Sequence, residues 1–408
     1  MHALRGPRLV ALVCTAQVLV QLGAYFWPAL LPSMTPLWRL TNSEAGWITG
    51  IFYAAYMVAV PVLVTLTDRM DAKLVYLSGV GCTIAAHLMF GLTADGFWSA
   101  LALRALAGIG WAGTYMTGVK LLADQVDAKM MSRAVTGHAA SIGISGALSF
   151  SCAGLIAASY DWRAAFVAAG LSACAAWLLV ALWVPQQPRA MPASDGAKLF
   201  DFRPVFRNRS AMAYSLAYCV HTLEMSALRG WGVAFLGFVA IGAGVTESVL
   251  APTVVLAMLG LIGTAASVLG NEAAIRMGRR GLIALAMLGS AVVGGSIGFI
   301  GSRSYSIAVG MLLVYGFIVW LDSSSLTAGS AGTAEPSRRG ATLAVHSMLG
   351  YAGGFVGPLI VGVILDMGGG MSRMTWGLAF LSVAVLMLVA LVTFWIIRPK
   401  ELVGDRRA

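Results

Sequence analysis

The sequence predicts an all-α membrane protein in which twelve transmembrane helices form two six-helix bundles. Three observations predict this fold: an excess of apolar residues, twelve long apolar runs, and a correspondence between the two halves. Hydrophobic residues make up 59% of the 408 residues, and only 27 basic and 17 acidic residues carry charge. About a quarter of a typical soluble chain is charged. The composition therefore excludes a soluble enzyme, a disordered protein and a nucleic-acid-binding protein.

Twelve apolar runs are each long enough to cross the hydrocarbon core of a bilayer, which takes about 20 residues. The first is too long for the apolar region of a signal peptide and lacks a cleavage site after it, so we expect an uncleaved helix. The runs are Leu9–Leu31, Ala45–Thr67, Leu74–Thr93, Phe97–Leu122, Ala134–Ala158, Ala164–Val184, Ala211–Ala240, Val249–Gly270, Gly281–Gly301, Ser304–Thr327, Ala341–Leu365 and Thr375–Ile397.

The basic residues are distributed unevenly between the loops on the two sides of the membrane. If both termini are cytoplasmic, 21 Lys and Arg residues fall on the cytoplasmic side. The opposite side holds only Arg39, Arg163, Arg303 and Arg373. Because cytoplasmic loops of membrane proteins are enriched in Lys and Arg, this bias predicts a multi-pass protein of the cytoplasmic (inner) membrane with both termini in the cytoplasm.

One long hydrophilic connection, residues 185–210, separates a bundle at 1–184 from a bundle at 211–408. The halves correspond: Arg69 aligns with Arg276, and Arg133 aligns with Arg339 at a nearly equal separation. Six helices repeated in the same order predict two bundles related by an axis along the membrane normal, with a cavity between them.

At this point the chain resembles the major facilitator superfamily of transporters over its whole length, and in particular a less characterised bacterial subgroup. The signature of the family's second loop is partly matched twice, and the Arg and glycines of its fourth helix are matched once. The matching residues are Asp68, Arg69 and Lys73, then Arg276, Gly278, Arg279 and Arg280, and finally Arg104, Gly108, Gly110 and Gly113. The Gly-Pro pair of many drug antiporters is missing from the fifth helix.

The resemblance implies transport of small solutes by alternating access, usually coupled to protons or another ion. It also implies that loop charges form cytoplasmic salt bridges that gate the transport path, with Asp68, Arg69, Arg276 and Arg280 as the candidates. The alternative is that such charges are solvated and only set the topology, and it stays open especially for Lys73 and Arg279.

Four charged residues lie well inside predicted helices, away from their ends: Arg104, Glu224, Arg229 and Asp322. A charge near the bilayer centre costs several kcal/mol, so each must face a partner or a water-filled cavity. They fall in the fourth, seventh and tenth helices, which together with the first line the central cavity in the family that the chain resembles. They are therefore the leading candidates for the transport path.

Glu224 is the candidate for proton coupling. It lies thirteen residues after Ala211, which corresponds to a depth of about 20 Å in a helix. The protonation of a carboxylate at that depth depends on its surroundings and can change with the face that is open. His221, one turn earlier on the same face, would tune it. The alternative is a permanent structural ion pair of Glu224 with Arg229 or Arg104.

Arg104 is the first candidate for substrate binding, because a guanidinium in a low-dielectric cavity can hold a carboxylate or phosphate by two parallel hydrogen bonds. A structural pair with Asp322 or Glu224 is the alternative. Further substrate-binding candidates are Gln17, Gln21 and Tyr25, which follow one another by a turn on the first helix, together with Arg229 and Asp322.

The leading hypothesis is thus a secondary active transporter, a proton symporter for a small polar organic solute and possibly for an organic anion. Efflux of amphipathic compounds is the alternative within transport, and a non-transporting membrane sensor is a third hypothesis. We find no catalytic cluster, metal-binding spacing or phosphate loop, so we expect no enzyme activity, no cofactor and no metal. The expected partners are a small-molecule substrate, protons and the lipid bilayer, without nucleic acid, and we expect a monomer.

Overall fold

The computed structural model describes residues 6–67, 69–187, 202–245, 250–402 and 405. These residues form helices and no β-strand. The α-helices are α1 Pro7–Gln21, α2 Phe26–Leu37, α3 Asn42–Leu66, α4 Ala72–Thr93, α5 Phe97–Ala112, α6 Tyr115–Ala123, α7 Ala128–Ser159, α8 Trp162–Trp183, α9 Arg203–Arg207, α10 Arg209–Gly242, α11 Pro252–Met277, α12 Arg279–Ile300, α13 Tyr305–Trp320, α14 Ser323–Gly332, α15 Arg339–Met367 and α16 Arg373–Ile397. Within the described ranges, eleven helical segments are long and apolar enough to cross a membrane.

The predicted runs are all helical, but three of them are interrupted. The first run consists of α1 and α2, the fourth of α5 and α6, and the tenth of α13 and α14. At each interruption the backbone forms a hydrogen bond between residues i and i+3. Examples are Ala24 N to Gln21 O at 3.0 Å and Leu321 N to Ile318 O at 3.1 Å. Carbonyl groups at such breaks leave the regular helical ladder and become available to side chains.

Two compact units divide the chain. The first unit comprises Met1–Met34 and Ile51–Gly196, and the second comprises Thr35–Gly50 and Ala197–Ala408. Thr35–Gly50 belongs to the second unit because the start of α3 is bonded to α15: the Asp366 carboxylate accepts hydrogen bonds from Asn42 N at 3.0 Å and Ser43 N at 2.7 Å. The division of the chain at residues 185–210 stays a prediction, since residues 188–201 lie outside the described ranges.

Each unit has an apolar core of its own. In the first unit, α1 packs against α7 and α8, and α4 packs against α8. In the second unit, α10 packs against α15, and α12 packs against α16. The core of the first unit includes Leu9, Val13, Val20, Tyr76, Val80 and Val180, and that of the second includes Tyr214, Ile283, Met287, Leu326, Met387 and Phe394.

Candidate functional site

Arg104 is held at the interruption between α1 and α2. The residue is only 2% exposed. Its Nη1 donates to the Ala24 carbonyl at 3.1 Å, and its guanidinium carbon lies 4.4 Å from the centroid of the Phe52 ring. Arg104 forms no ion pair with the described residues of the first unit, and the alternative of a structural pair with Asp322 or Glu224 stays open. A carbonyl freed by the helix break and an aromatic face stabilise this cation.

Gln17 and Gln21 present unused donors in the same unit. Gln17 Oε1 accepts from the Tyr76 hydroxyl at 3.3 Å, and Gln21 Oε1 accepts from the Ser145 hydroxyl at 3.3 Å. Their Nε2 groups and Arg104 Nε are buried and have no hydrogen-bond partner within the described residues. Buried donors are normally paired, so this group is suited to a ligand or water that supplies acceptors.

Two neighbouring features complete this cluster. Tyr25, at the end of the interruption, stacks on Phe150 with ring centroids 5.2 Å apart, and its backbone N–H donates to Ser149 Oγ at 2.9 Å. Gln21, Thr83 and His87 line a cavity of about 10 Å³, which is room for a single water molecule. The predicted binding residues Gln17, Gln21, Tyr25 and Arg104 therefore lie around one break in the first unit.

Glu224 lies on α10 in the second unit and is 1% exposed. Its Oε1 accepts hydrogen bonds from Ser290 on α12 and, at 2.7 Å, from the Tyr315 hydroxyl on α13. Its Oε2 is buried and has no partner among the described residues. Glu224 forms no ion pair with Arg229 among the described residues of the second unit, and the alternative of a pair with Arg104 stays open.

His221 and Asp322 form a second buried pair beside Glu224. His221 Nδ1 lies 2.8 Å from Asp322 Oδ1, with side chains 1% and 3% exposed. Asp322 occupies the interruption between α13 and α14 and precedes the first residue of α14. The approach is close enough for an ion pair when the imidazole carries a proton, although it lacks the alignment of a hydrogen bond.

A stack of three rings extends this acidic cluster towards α15. The Tyr218 ring lies between His221 and His346, with centroid distances of 5.6 Å and 4.1 Å. His346 Nδ1 contacts Ser215 Oγ at 3.2 Å, and its Nε2 contacts Thr327 Oγ1 at 3.2 Å. These contacts fix the His346 ring, and His221 is the histidine of the stack that lies beside Asp322.

Arg229 is the remaining cation that the sequence singles out, and it is half-buried. It lies on α10 five residues after Glu224, and its guanidinium carbon is 4.7 Å from the centroid of the Trp320 ring. Trp320 ends α13 and comes two residues before Asp322. The structure thus brings Arg229 and Asp322 to the same end of α13, while its direct role with substrate stays a prediction.

Two of the loop charges predicted to gate the path have partners inside the second unit, and a third has no ion-pair partner among the described residues. Arg276 bonds to Glu272 on its own helix at 2.6 Å, and Arg280 bonds to Glu401 at 3.1 Å. Arg69 is exposed and forms no ion pair within the described residues, and Asp68 lies outside the described residues. The gating role of these four residues stays a prediction.

Two loop cations are not solvated as the open alternative supposed. Lys73 is 6% exposed and donates through Nζ to the carbonyls of Ala181 and Val184, at 2.9 Å and 2.7 Å, at the end of α8. Arg279 is 2% exposed and holds the Asp405 carboxylate through Nε and Nη2, both at 3.1 Å. Both have a structural role, which their loop positions did not reveal.

Ser290, Tyr315 and Tyr218 are cluster residues that sequence analysis missed. They are uncharged, and Ser and Tyr are common in apolar helices. Their position relative to Glu224 depends on how α10, α12 and α13 pack, so no pattern within one helix indicates them.

Comparison with known proteins gives a consistent result. The sequence pattern described as Major Facilitator Superfamily matches residues 13–328. Protein spinster homolog 1 of Homo sapiens is 26% identical over 246 residues, which is 57% of this chain and 46% of that protein. The match thus spans about half the length of that relative. The Sphingosine-1-phosphate transporter SPNS2 of Xenopus tropicalis is 22% identical over 87% of this chain and 73% of its own.

Solved structures share the fold at low identity. A bacterial homolog to the human lysosomal transporter Spinster, in an inward-facing and occupied conformation, has a TM-score of 0.79 at 14% identity and covers 96% of this chain and 97% of its own. The nucleoside transporter NupG has a TM-score of 0.77 at 14% identity, covering 95% and 99%. These likenesses confirm the predicted all-α fold of twelve transmembrane helices.

Proposed function

Because the chain belongs to the Major Facilitator Superfamily, and is therefore a multi-pass membrane transporter rather than an enzyme, we propose that it is a proton-coupled symporter of a small polar organic solute, with a preference for organic anions. It works by alternating access in the cytoplasmic membrane, as a monomer with both termini in the cytoplasm.

The observation that carries the proton-coupling proposal is the environment of Glu224. Its carboxyl group is buried and is bonded by two hydroxyls, from Ser290 and Tyr315, rather than by a cation. Hydroxyls rotate and can either donate or accept, so the same cage accommodates the ionised and the protonated carboxyl. An arginine partner would hold the carboxylate ionised and prevent it from carrying a proton.

His221 and Asp322 give the proton a second position in the same unit. The His221 imidazole lies 2.8 Å from Asp322 and would pair with it when it carries a proton. The group carrying the proton is then the cluster of three residues, with Glu224 as the exchanging carboxyl and His221 with Asp322 as its counterpart.

The anion preference rests on the surplus of donors in the first unit. Arg104 Nε and the Nε2 groups of Gln17 and Gln21 are buried donors without acceptors in the described residues. A carboxylate or phosphate would supply several acceptors at once, and a guanidinium is suited to bind such groups by parallel hydrogen bonds. Tyr25, Arg229 and Asp322 stay substrate-binding candidates on the evidence of the sequence.

An amphipathic solute, including one that is exported, is the second candidate. The ring of Phe52 lies under Arg104 and stacks on Trp111 with centroids 4.9 Å apart. A cation on a bed of aromatic rings is suited to a molecule with an anionic head and an apolar body. The relative named as a sphingosine-1-phosphate transporter carries a solute of this kind.

The test begins with purified protein and a thermal-shift screen of organic anions, zwitterions, nucleosides and lysolipids. A stabilising solute is then followed in proteoliposomes, with and without an imposed pH gradient. Glu224→Gln removes the exchangeable proton. Glu272→Gln is the matched control, because that glutamate is exposed and its one ion pair among the described residues is with Arg276 on its own helix.

We expect Glu224→Gln to abolish gradient-driven accumulation while solute exchange at equal pH continues. Glu272→Gln should behave as the wild type. If accumulation by Glu224→Gln keeps its full dependence on the gradient, the proton role is wrong. If no anionic or amphipathic solute stabilises the protein, the substrate class is wrong, whatever the coupling ion.

A further inference from the structure

A groove at the end of the second unit has the chemistry of a lipid site and belongs to none of the clusters described above. It has a volume of about 200 Å³ and is lined by Arg280, Gly281, Ala284, Phe394, Trp395 and Arg398. These residues come from the start of α12 and the end of α16, which pack against each other.

The polar end of the groove is formed by two arginines. Arg280 donates through Nε to Glu401, but its side chain is 44% exposed and its Nη groups have no partner within the described ranges. Arg398 is exposed and forms no ion pair there. The Glu401 carboxylate is directed to the backbone N–H groups of Arg279 and Arg280 as well. The Glu401 carboxylate therefore accepts three hydrogen bonds and is satisfied. The exposed N–H groups of Arg280 and Arg398 remain available to another anion.

The backbone of Arg398 is a second, independent feature. This residue caps the end of α16 with φ of 50°, in the left-handed region. Helices that end in this conformation usually have glycine there, because a Cβ atom is strained. An arginine at this position therefore strains the backbone, and it places a cation at the rim of the groove.

The apolar end of the groove continues along the membrane-facing sides of both helices. On α12, Leu285, Leu288 and Val292 are 62%, 48% and 65% exposed, and on α16, Val392 and Trp395 are 57% and 69% exposed. Spacings of three and four residues place each set on one helix face. In a chain that spans the membrane such faces contact lipid, and an exposed Trp near a helix end lies at the level of the headgroups.

We propose that this groove binds one anionic phospholipid, with its phosphate between Arg280 and Arg398 and its acyl chains along α12 and α16. Two guanidinium groups complement a phosphate diester, and the adjoining apolar strip complements acyl chains. Gly281 forms part of the groove wall, and a Cβ atom there would meet nothing within 4 Å. Arg280 is also one of the predicted gating residues, but lipid retention is measured without solute or a pH gradient, so either proposal can fail while the other stands.

The experiment is native mass spectrometry of the full-length protein in a neutral detergent, with phosphatidylglycerol and phosphatidylcholine of identical acyl chains. We expect the wild type to retain one phosphatidylglycerol in preference to phosphatidylcholine. Arg280→Gln/Arg398→Gln should weaken phosphatidylglycerol binding by at least about tenfold. Arg398→Gln alone should give part of that loss, and it leaves the bonds of Glu401 intact if the double variant folds poorly.

Two further variants separate a defined site from general charge attraction. Gly281→Leu adds bulk to the groove without changing charge, and we expect it to lower retention of the lipid. Arg207→Gln/Arg209→Gln removes two cations that line a different cleft in the same unit, and we expect it to keep the wild-type preference. Equal losses in both arginine pairs, or no loss in Gly281→Leu, would overturn the proposal.

Inorganic phosphate distinguishes a lipid from a free anion. We expect millimolar phosphate neither to stabilise the protein against heat as phosphatidylglycerol does nor to displace the lipid. If phosphate does both, the groove binds small anions and the assignment to a phospholipid is wrong.

Discussion

The buried polar groups of the two units carry opposite charge and are stabilised by different means. In the first unit a cation, Arg104, is bonded to the Ala24 carbonyl at a helix interruption and lies on the Phe52 ring. In the second unit the Glu224 carboxylate is bonded to two hydroxyls, and the Asp322 carboxylate lies beside the His221 imidazole. The two halves therefore correspond in the order of their helices but differ in the charge of their buried polar groups.

This difference supports the proposal that the first unit binds the solute and the second unit carries the proton. The cluster of the first unit has unused donors, at Gln17, Gln21 and Arg104, and these are suited to a solute that supplies acceptors. The cluster of the second unit has an unused acceptor, Oε2 of Glu224, and a histidine, and these are suited to a proton. Variants in each unit should therefore alter different steps of transport.

The largest effect is expected for His221→Ala. Removing the imidazole leaves Asp322 buried without its partner, and breaking one side of a buried pair costs about 3–5 kcal/mol. The melting temperature in detergent measures this loss. Combining His221→Ala with Asp322→Asn also removes the carboxylate that was left without its partner, and it should restore a large part of the stability. A single variant as stable as the wild type would show that the 2.8 Å approach contributes no attraction.

Arg104→Ala is expected to have the next largest effect, and on binding rather than on proton coupling. Truncating one partner of a buried charged contact costs about 2–5 kcal/mol, so affinity for an anionic solute should fall by about a hundredfold. Arg163→Ala, an exposed arginine in the same unit, is the control. Titrating a stabilising solute against both variants tests this, and unchanged affinity in Arg104→Ala would remove Arg104 from the binding residues.

Much of the fold can be predicted from the sequence because membrane-spanning helices depend on composition over about 20 residues rather than on distant contacts. Arg104, Glu224, Arg229 and Asp322 can be singled out for the same reason, since each interrupts an apolar run. The rest of the site depends on packing between helices. Ser290 and Tyr315 are recognisable as partners of Glu224 only once α12 and α13 are placed against α10.

The partners of the loop arginines could not be predicted for a related reason. Glu401 and Asp405 contact Arg280 and Arg279 from positions more than a hundred residues further along the chain. Nothing in the local sequence distinguishes an arginine that will be buried by such a segment from one that stays solvated. The helix interruptions also depend on tertiary contacts, and Gly270→Ala tests this dependence.

A smaller effect is expected when the interruption at Asp322 is crowded from outside. Gly270 on α11 lies so close to the break that a Cβ atom would come within 1.8 Å of the Leu321 carbonyl oxygen. Gly270→Ala must therefore displace backbone, and overpacking of this kind costs about 1–3 kcal/mol.

Gly281→Ala is the matched control, since a Cβ atom at Gly281 meets nothing within 4 Å. Thermal unfolding of the two variants in the same detergent should separate them, with Gly270→Ala less stable and Gly281→Ala close to the wild type. Equal stability would mean that the break moves freely and does not fix the position of Asp322.

The smallest effect is expected for Tyr315→Phe, which removes one of the two hydroxyls that donate to Oε1 of Glu224. Because the Ser290 hydroxyl remains on the same oxygen, the loss should be about 1 kcal/mol, the value of a single hydrogen bond. Tyr214→Phe is a benchmark, since that hydroxyl donates to the neutral Lys400 carbonyl at 2.9 Å.

In proteoliposomes each single variant should keep its dependence on a pH gradient, whereas Ser290→Ala/Tyr315→Phe should lose part of it, because the carboxyl then has neither hydroxyl to bond in either protonation state. A double variant with unaltered coupling would show that the hydroxyl cage does not tune Glu224, and it would leave His221 and Asp322 as the groups that distinguish the second unit from the first.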